Sequence, residues 1–380
     1  MSNNYFVIDL FSGSGGSALG FRSAGFTVAA AVEINKLASE SFKKNFPETK
    51  VFSEDICSID GKRLLKETGL SASDRDKIVI LACPPCQGFS TARRNEQRKS
   101  DPRNLLIMEF VRLVKEIKPA AFVMENVPGL AKGIGRVVFN DAMNQLSKIG
   151  YHMTEPKVLE AADYGVPQRR KRLVLMGTRV KKINLALPEP THQKPQSQDN
   201  KLQAWKTVRE TISDLPKIKA GTRDEKDLFH MSAHLSEINL QRLRHTPKDG
   251  GSRSSWPENL VLACHKSVKG YTDVYGRMQW DSPSPTMTGG CAMISKGRFG
   301  HPEQNRAISL REASRLQSFP DDFVFVGNFG EIAKQIGNAV PPQLAKEIAG
   351  SLLKSLNESK VTVEFVSSFS ARSKPAPSIF

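Results

Sequence analysis

Tyr5-Phe6-Val7-Ile8-Asp9-Leu10-Phe11-Ser12-Gly13-Ser14-Gly15-Gly16-Ser17-Ala18 decides the fold class. Tyr5 to Leu10 is an apolar run of strand length, Ser12 to Gly16 is a glycine-rich turn, and the residues to about Ala24 read as a helix. The turn satisfies Gly-x-Gly-x-x-Ala through Gly13, Gly15 and Ala18. Glycines in such a turn let the backbone approach a ligand closely at a helix N-terminus. A second strand, Val28 to Val32, ends in Glu33, where a carboxylate can hold ribose hydroxyls. Asp55 follows Val51-Phe52, which ends a third strand. Together these residues predict a site for an adenosine-containing cofactor, and they leave NAD and S-adenosylmethionine both open.

The same alternation continues outward. Ile78 to Ala82 predicts a buried strand of a parallel sheet, and Leu105 to Ile117 a helix closed by Pro119. Ala120 to Met124 is a strand ending in Glu125-Asn126-Val127, and Arg172 to Gly177 is another. The expected fold is α/β: a doubly wound, Rossmann-like mixed sheet with a second, smaller, loop-rich domain. The alternation stops near Leu187. From Pro188 to about Phe299 the chain is rich in Pro, Gly, Ser, Thr and charge, and helical pattern returns at Ser309 to Gln317 and Gln343 to Leu356. The expected divisions are 1–185 for catalysis and cofactor, 186–327 for the small domain, 328–355 for a segment returning to the first domain, and 356–380 for a tail.

The strand from Ile78 runs into Cys83-Pro84-Pro85-Cys86-Gln87-Gly88-Phe89-Ser90. Proline cannot donate to a strand ladder, so the strand stops and Cys86 falls in a turn at its carboxyl end. In open α/β sheets that end faces the ligand. Taken locally, Cys83 and Cys86 could be a redox couple, half of a zinc site, a buried structural pair or a source of a nucleophile. No second Cys-x-x-Cys or spaced His pair supports zinc, and the other cysteines, Cys57, Cys264 and Cys291, are scattered. The expected metal set is therefore empty.

The 380 residues are enough for about two domains. Hydrophobic residues at 39% and charged residues at 25% make an ordinary globular balance. Five scattered cysteines fit a reducing compartment better than a disulfide framework. No secretory leader or membrane-length apolar run is visible, so a cytoplasmic location without membrane partners is expected. Lys plus Arg is 55 against 39 Asp plus Glu, a net charge of +16 that favours a polyanionic partner, most simply nucleic acid. From Val166 to Lys182 there are seven basic residues and no acidic one. Within this stretch Arg170 and Arg172 alternate and can share a face. Glu125, at another strand end, shares a rim with Cys86.

In this order, these pieces resemble the cytosine-5 DNA methyltransferases of the prokaryotic, restriction-modification type. The resemblance covers roughly residues 5–185 and 305–352. It rests on Asp9 to Gly16, Val32-Glu33, Asp55-Ile56, Pro84 to Ser90, Glu125-Asn126-Val127 and Gln168 to Arg172. It continues in Arg311 to Pro320 and in Gln335-Ile336-Gly337-Asn338-Ala339-Val340-Pro341-Pro342. The resemblance implies that Cys86 is a nucleophile toward C6 of a flipped-out cytosine. Glu125 would contact N3 and the exocyclic amine, Arg172 the O2, and Arg170 would support the site or a phosphate. The methyl donor would be S-adenosylmethionine, leaving as S-adenosylhomocysteine. Phe11, Ser12, Gly13, Gly15, Gly16, Glu33, Ile34, Asp55, Ile56, Pro85, Asn338 and Val340 would bind it. Gly88 to Asn104 would close over the base, and 186–305 would read the target, with Arg253, Arg277, Gln279 and Arg298 as candidate base readers. The partner would be double-stranded DNA, the enzyme a monomer, and a cognate restriction endonuclease its companion. An RNA cytosine-5 methyltransferase, an N-methylating DNA enzyme and an NAD-dependent oxidoreductase are the rival readings. The N-methylating enzymes carry Asp- or Asn-Pro-Pro-aromatic where this chain has Cys83-Pro84-Pro85-Cys86.

The basic excess predicts a steep salt dependence. Duplex DNA affinity should fall by about 10³-fold or more between about 50 and 200 mM salt, as for proteins that displace several phosphate counterions. Fluorescence anisotropy with a labelled duplex measures this. A flat response would show that the basic residues are not a DNA surface.

Overall fold

The computed structural model describes residues 5–85, 106–195, 201–266 and 273–371, except for the side chains of residues 134, 266 and 359–371. Strands and helices alternate in the first part: β1 (Phe6–Leu10), α1 (Gly16–Ser23), β2 (Thr27–Val32), α2 (Lys36–Asn45), β3 (Lys50–Phe52), α3 (Gly61–Glu67) and β4 (Ile78–Ala82). α4 (Leu106–Ile117), β5 (Ala121–Asn126), α5 (Gly133–Lys148), β6 (His152–Met153), β7 (Lys157–Glu160) and β8 (Lys171–Thr178) follow. The sheet has eight strands in the order β3-β2-β1-β4-β5-β8-β6, with β7 also paired to β8. β1 to β5 run parallel, and β8 runs antiparallel to β5, β6 and β7. This is the doubly wound mixed sheet that the alternation predicts.

Register positions the site. β1 and β4 pair without a shift from Phe6 opposite Ile78 to Leu10 opposite Ala82, and Ala82 lies opposite Met124 of β5. On the other side of β1, Leu10 lies opposite Val32. Four strands thus reach one line, and Phe11, Glu33, Cys83 and Glu125 follow it on one rim. Strand order reverses between β1 and β4, which is where sheets of this kind open a ligand crevice.

The strands are buried on both faces, with period-two alternation. Ile8, Leu10, Ile78, Ile80, Phe122 and Met124 pack towards α3, α4 and α5. Val7, Val79, Leu81, Ala121 and Val123 pack on the other face with Phe21 of α1 and with the last helix, α11.

The remainder holds a short ribbon, β9 (His192–Gln193) with β10 (Gln203–Ala204), and the helices α6 (Val208–Ile212), α7 (Glu237–His245) and α8 (Ala263–Lys266). Then come α9 (Leu310–Leu316), α10 (Phe329–Asn338) and α11 (Pro342–Ala371). The expected divide at 327/328 falls at the N-cap of α10, where Asn328 accepts from the Glu331 N–H. Packing nonetheless runs across it. Ala18, Val28, Phe42 and Phe46 share one core with Val208, Met287, Leu310, Phe319 and Ile336. α11 runs on through the expected boundary at 356, to Ala371. Neither Gly nor Pro occurs between Gly350 and Pro375, so no breaker ends the helix at Leu356. Among the described residues, no helix is long and apolar enough to cross a membrane.

The loop-rich part solves its backbone problem with buried arginines. Loops leave carbonyls without ladder partners, and a guanidinium brings five donors. Arg277 donates to the carbonyls of Leu243, Thr246, His301 and Gln304 and to the Asn305 side chain. Burial pushes its pKa down to about 10. Arg277 is therefore a structural clamp with no donor turned to solvent, which corrects its candidacy as a base reader. Arg306 makes a two-pronged pair with Glu312 at 2.7 Å, both side chains fully buried. Burial alone would raise the Glu312 pKa, but Arg306 holds it below the ordinary value. Glu312 also accepts from the Ser309 N–H, closing the capping box that starts α9.

Removing one partner of such a pair leaves a buried charge uncompensated. Glu312→Gln should destabilise the fold by about 3–5 kcal/mol, read by denaturant titration. An unchanged midpoint would mean that the pair is not what holds α9.

Candidate active site and cofactor crevice

The glycine-rich turn leaves β1 through Phe11, whose φ is 60°, and Gly13, whose φ is 55°. Ser12 N–H donates to the Val32 carbonyl at 3.1 Å, tying the turn to the end of β2. Glu33 locks it further. One carboxylate oxygen accepts from Gly13 N–H at 2.8 Å and the other from Asn35 N–H at 2.7 Å. Burial raises the pKa of Glu33 above the usual range despite these two bonds.

The surroundings fit an adenosine-type cofactor. The Ser12 and Ser14 hydroxyls are buried without a hydrogen-bond partner among the described residues. A Cβ on Gly13 would meet nothing within 4 Å among the described residues. Ile34, next to Glu33, is 65% exposed, an apolar face of the kind that an adenine ring covers. Asp55 accepts from the Cys57 N–H at 2.9 Å and starts a short 3-10 turn, while Ile56 is buried beneath it. From the far end of the chain, Val340 brings its carbonyl to 2.5 Å from where a Cβ on Gly16 would lie. The C-terminal segment thus closes against the N-terminal turn, and Asn338 is exposed beside it.

On the same rim, Glu125 of β5 and Arg172 of β8 form an ion pair at 2.6 Å, both side chains almost buried. Glu125 lies opposite Val174 in the antiparallel ladder, so Arg172 is its diagonal neighbour. Asn126 donates to the Pro84 carbonyl at 2.9 Å, which pins the Pro84-Pro85 segment beside Glu125. Cys86 and the expected closing segment, Gly88 to Asn104, lie outside the described residues. Cys83 is described. Burial, with the nearby Glu125 and Asp9 carboxylates, raises its thiol well above the ordinary value, so it stays protonated at neutral pH. Arg170 does not join Arg172 on an open face. It is buried, and its guanidinium is used by the carbonyls of Met287, Gly337 and Ala339.

A cleft of about 820 Å³ opens beside this pair. Arg169, Lys171 and Arg172 form one wall, and Gln279, Arg298 and Trp205 of the loop-rich part lie across from them. Of the expected base readers, Gln279 and Arg298 therefore face the cleft, while Arg253 and Arg277 do not line it. Arg298 is partly committed to Asp273 and to the carbonyls of Gly250 and Gly251.

Sequence reading missed Trp205, which had no periodic context, and Asp9. Asp9 is fully buried on β1, accepts from the Ser17 hydroxyl at 3.1 Å, and leaves its other oxygen without a partner among the described residues. An acidic residue inside an otherwise apolar strand was the available signal.

The family model described as C-5 cytosine-specific DNA methylase matches residues 5–354. The type II methylase M.HgiDII of Herpetosiphon aurantiacus is 38% identical over 352 residues, covering 91% of this chain and 94% of that protein. The type II methyltransferase M1.HphI of Haemophilus parahaemolyticus is 38% identical over 348 residues, covering 91% and 86% respectively. A solved E. coli structure, described as a DNA modification methyltransferase encoded within a prophage, superposes with a TM-score of 0.73. It is 27% identical and covers 93% of this chain and 100% of that one. The S. pombe Dnmt2 methyltransferase, 16% identical with a TM-score of 0.60 over 93% and 99%, shares the fold.

The Asp9 environment has a measurable consequence. Burial, with Glu33 nearby, pushes its carboxyl up to about 8, against 3.8 for an ordinary aspartate. Between these values the folded state keeps a proton that the unfolded chain has lost, so stability falls as pH rises and levels off above about 8. Asp9→Asn removes that titration. Its Tm should gain on that of the unmodified protein steadily from about pH 5 to pH 8, and a pH-independent difference would contradict the shift.

Proposed function

The chain belongs to the C-5 cytosine-specific DNA methylases, and on that premise we propose that it methylates a flipped-out cytosine in a specific duplex sequence through a covalent bond from Cys86. It is a DNA (cytosine-5-)-methyltransferase. The observation that carries the mechanistic reading is the nearly buried Glu125–Arg172 pair, set on the strand rim beside the Pro84-Pro85 segment that leads into Cys86.

Cytosine C5 is a poor nucleophile. A Cys86 thiolate adding to C6 moves the C5–C6 π pair onto C5, which can then accept a methyl group. A base then removes the C5 proton, the double bond re-forms, and the sulfur leaves as thiolate. Glu125 faces N3 and the exocyclic amine, and Arg172 faces O2. Because each already holds the other, both are aimed before the base arrives, which is the preorganised electrostatics that lowers such barriers. S-adenosylmethionine, when bound, supplies the electrophilic methyl group and leaves as S-adenosylhomocysteine.

Glu33 holds the ribose, Asp55 the adenine edge, and Ile34 and Ile56 the adenine faces. The Ser12 to Gly16 turn, Phe11, Pro85, Asn338 and Val340 complete that pocket. Arg170 acts by positioning. The cleft takes duplex DNA, with Arg169 and Lys171 towards phosphates and Gln279 as the foremost base reader, from the recognition region 186–305. The type II names of the relatives support a companion restriction endonuclease for the same site.

The test has two parts. DNA from a host expressing the chain should carry 5-methylcytosine at one recurring sequence. A duplex with 5-fluorocytosine at that position should then trap a denaturant-stable complex with the unmodified protein and with Cys83→Ser, and none with Cys86→Ser. Trapping by Cys86→Ser, its loss in Cys83→Ser, or methylation of tRNA instead of DNA would overturn the reading.

A further inference from the structure

The cleft and the cofactor crevice meet at one buried point. Segment 284–290 lies within the recognition region and places Pro285 and Thr286 in the cleft. The turn 337–340 joins α10 to α11 and closes on the glycine-rich turn. These two segments touch, since a Cβ on Gly337 would collide with the Thr288 carbonyl.

Three buried polar side chains hold the contact together. The Gln168 side-chain oxygen accepts from Met287 N–H at 2.9 Å, and Arg170 donates to the Met287 carbonyl at 2.6 Å. Arg170 donates with its other nitrogen to the carbonyls of Gly337 at 3.1 Å and Ala339 at 3.0 Å. Gln317, at the end of α9, donates to the carbonyls of Ile336 at 2.7 Å and Ala339 at 3.0 Å. Its side-chain oxygen accepts from Gln168. Gln168 and Gln317 are 0% exposed. Both backbone polar groups of Met287 are thus tied, through a closed network, to the carbonyls of the cofactor-side turn. In a low-dielectric interior, a buried network in which both glutamines and both terminal nitrogens of Arg170 are used allows few alternative arrangements.

We propose that Gln317 is a positioning residue that, through Gln168 and Arg170, couples the recognition segment to the cofactor-side turn. Filling either site then stabilises the other. Gln317 does not line the cleft and bonds the Ala339 carbonyl of the cofactor-side turn, so its effect on the cleft must travel through the network. The inference rests on the proposed function, because it takes 337–340 as cofactor-binding and the cleft as DNA-binding.

The test uses two probes: S-adenosylhomocysteine, and a duplex carrying the mapped methylation site. Calorimetry gives the S-adenosylhomocysteine affinity of the full chain with and without saturating duplex. The unmodified protein should bind it roughly fivefold or more tightly when the duplex is present, within the usual range for linked sites. Gln317→Met should lose most of that factor, while its affinity without duplex stays within about threefold. Equal factors in the two proteins, or no factor in an unmodified protein that binds both probes, would overturn the coupling. An unmodified protein that binds no S-adenosylhomocysteine at all would overturn the proposed function instead. Should Gln317→Met not fold, amide exchange in the unmodified protein decides. S-adenosylhomocysteine alone should slow exchange in segment 284–290, and unchanged exchange there would sink the proposal.

Discussion

Glu125 and Arg172 meet because two neighbouring strands run in opposite directions. β5 delivers Glu125 at its carboxyl end, and β8 begins at that same rim, so Arg172 arrives one diagonal step away. A wholly parallel sheet would have put the start of the neighbouring strand at the far edge. The antiparallel β8 is thus what assembles a carboxylate and a guanidinium on a rim otherwise supplied by strand ends. The rest follows from that placement. Asn126, next to Glu125, reaches the Pro84 carbonyl, and the cleft opens where Arg172 turns outward from the sheet.

The loop-rich part is held by a different economy of interactions. Its short helices and ribbon cannot satisfy their own backbone, so Arg170, Arg277 and Arg306 are among the largest fully buried side chains. Two of them act on carbonyls, and the third is neutralised by Glu312. Each such charge is costly to bury unless fully paired. The pairing therefore ties segments far apart in sequence into one arrangement, as Arg277 does between 243–246 and 301–305. A recognition surface carried on such a frame can vary at exposed positions such as Gln279 without disturbing the core.

This bears on how the two ligand sites share the molecule. The proposed cofactor crevice draws on the first 60 residues and is closed by the turn at 337–340, while the cleft is walled by β8 and the loop-rich part. One core, which includes Ala18, Phe42, Met287 and Ile336, runs between them.

Much of this was legible in the chain. Strand periodicity, the glycine-rich turn and the acidic strand ends at Glu33 and Glu125 gave the sheet and its rim, because alternation and backbone conformational limits are local properties. The ordered motifs carried the family, and they alone single out Cys86. The partners of the arginines were not legible. Arg277 and Arg298 look alike in sequence, yet Arg277 is buried among loop carbonyls and Arg298 faces the cleft. Which carbonyls a guanidinium meets depends on loops brought together from tens of residues away. Likewise, Gln317 reads as one more helical residue until Gln168, just ahead of β8, and the end of α10 converge on it. The sequence by itself determined the sheet, the rim and the chemistry available on it. Only the tertiary structure decided which charged groups face a substrate and which are consumed by the backbone, because burial is a property of the packed whole.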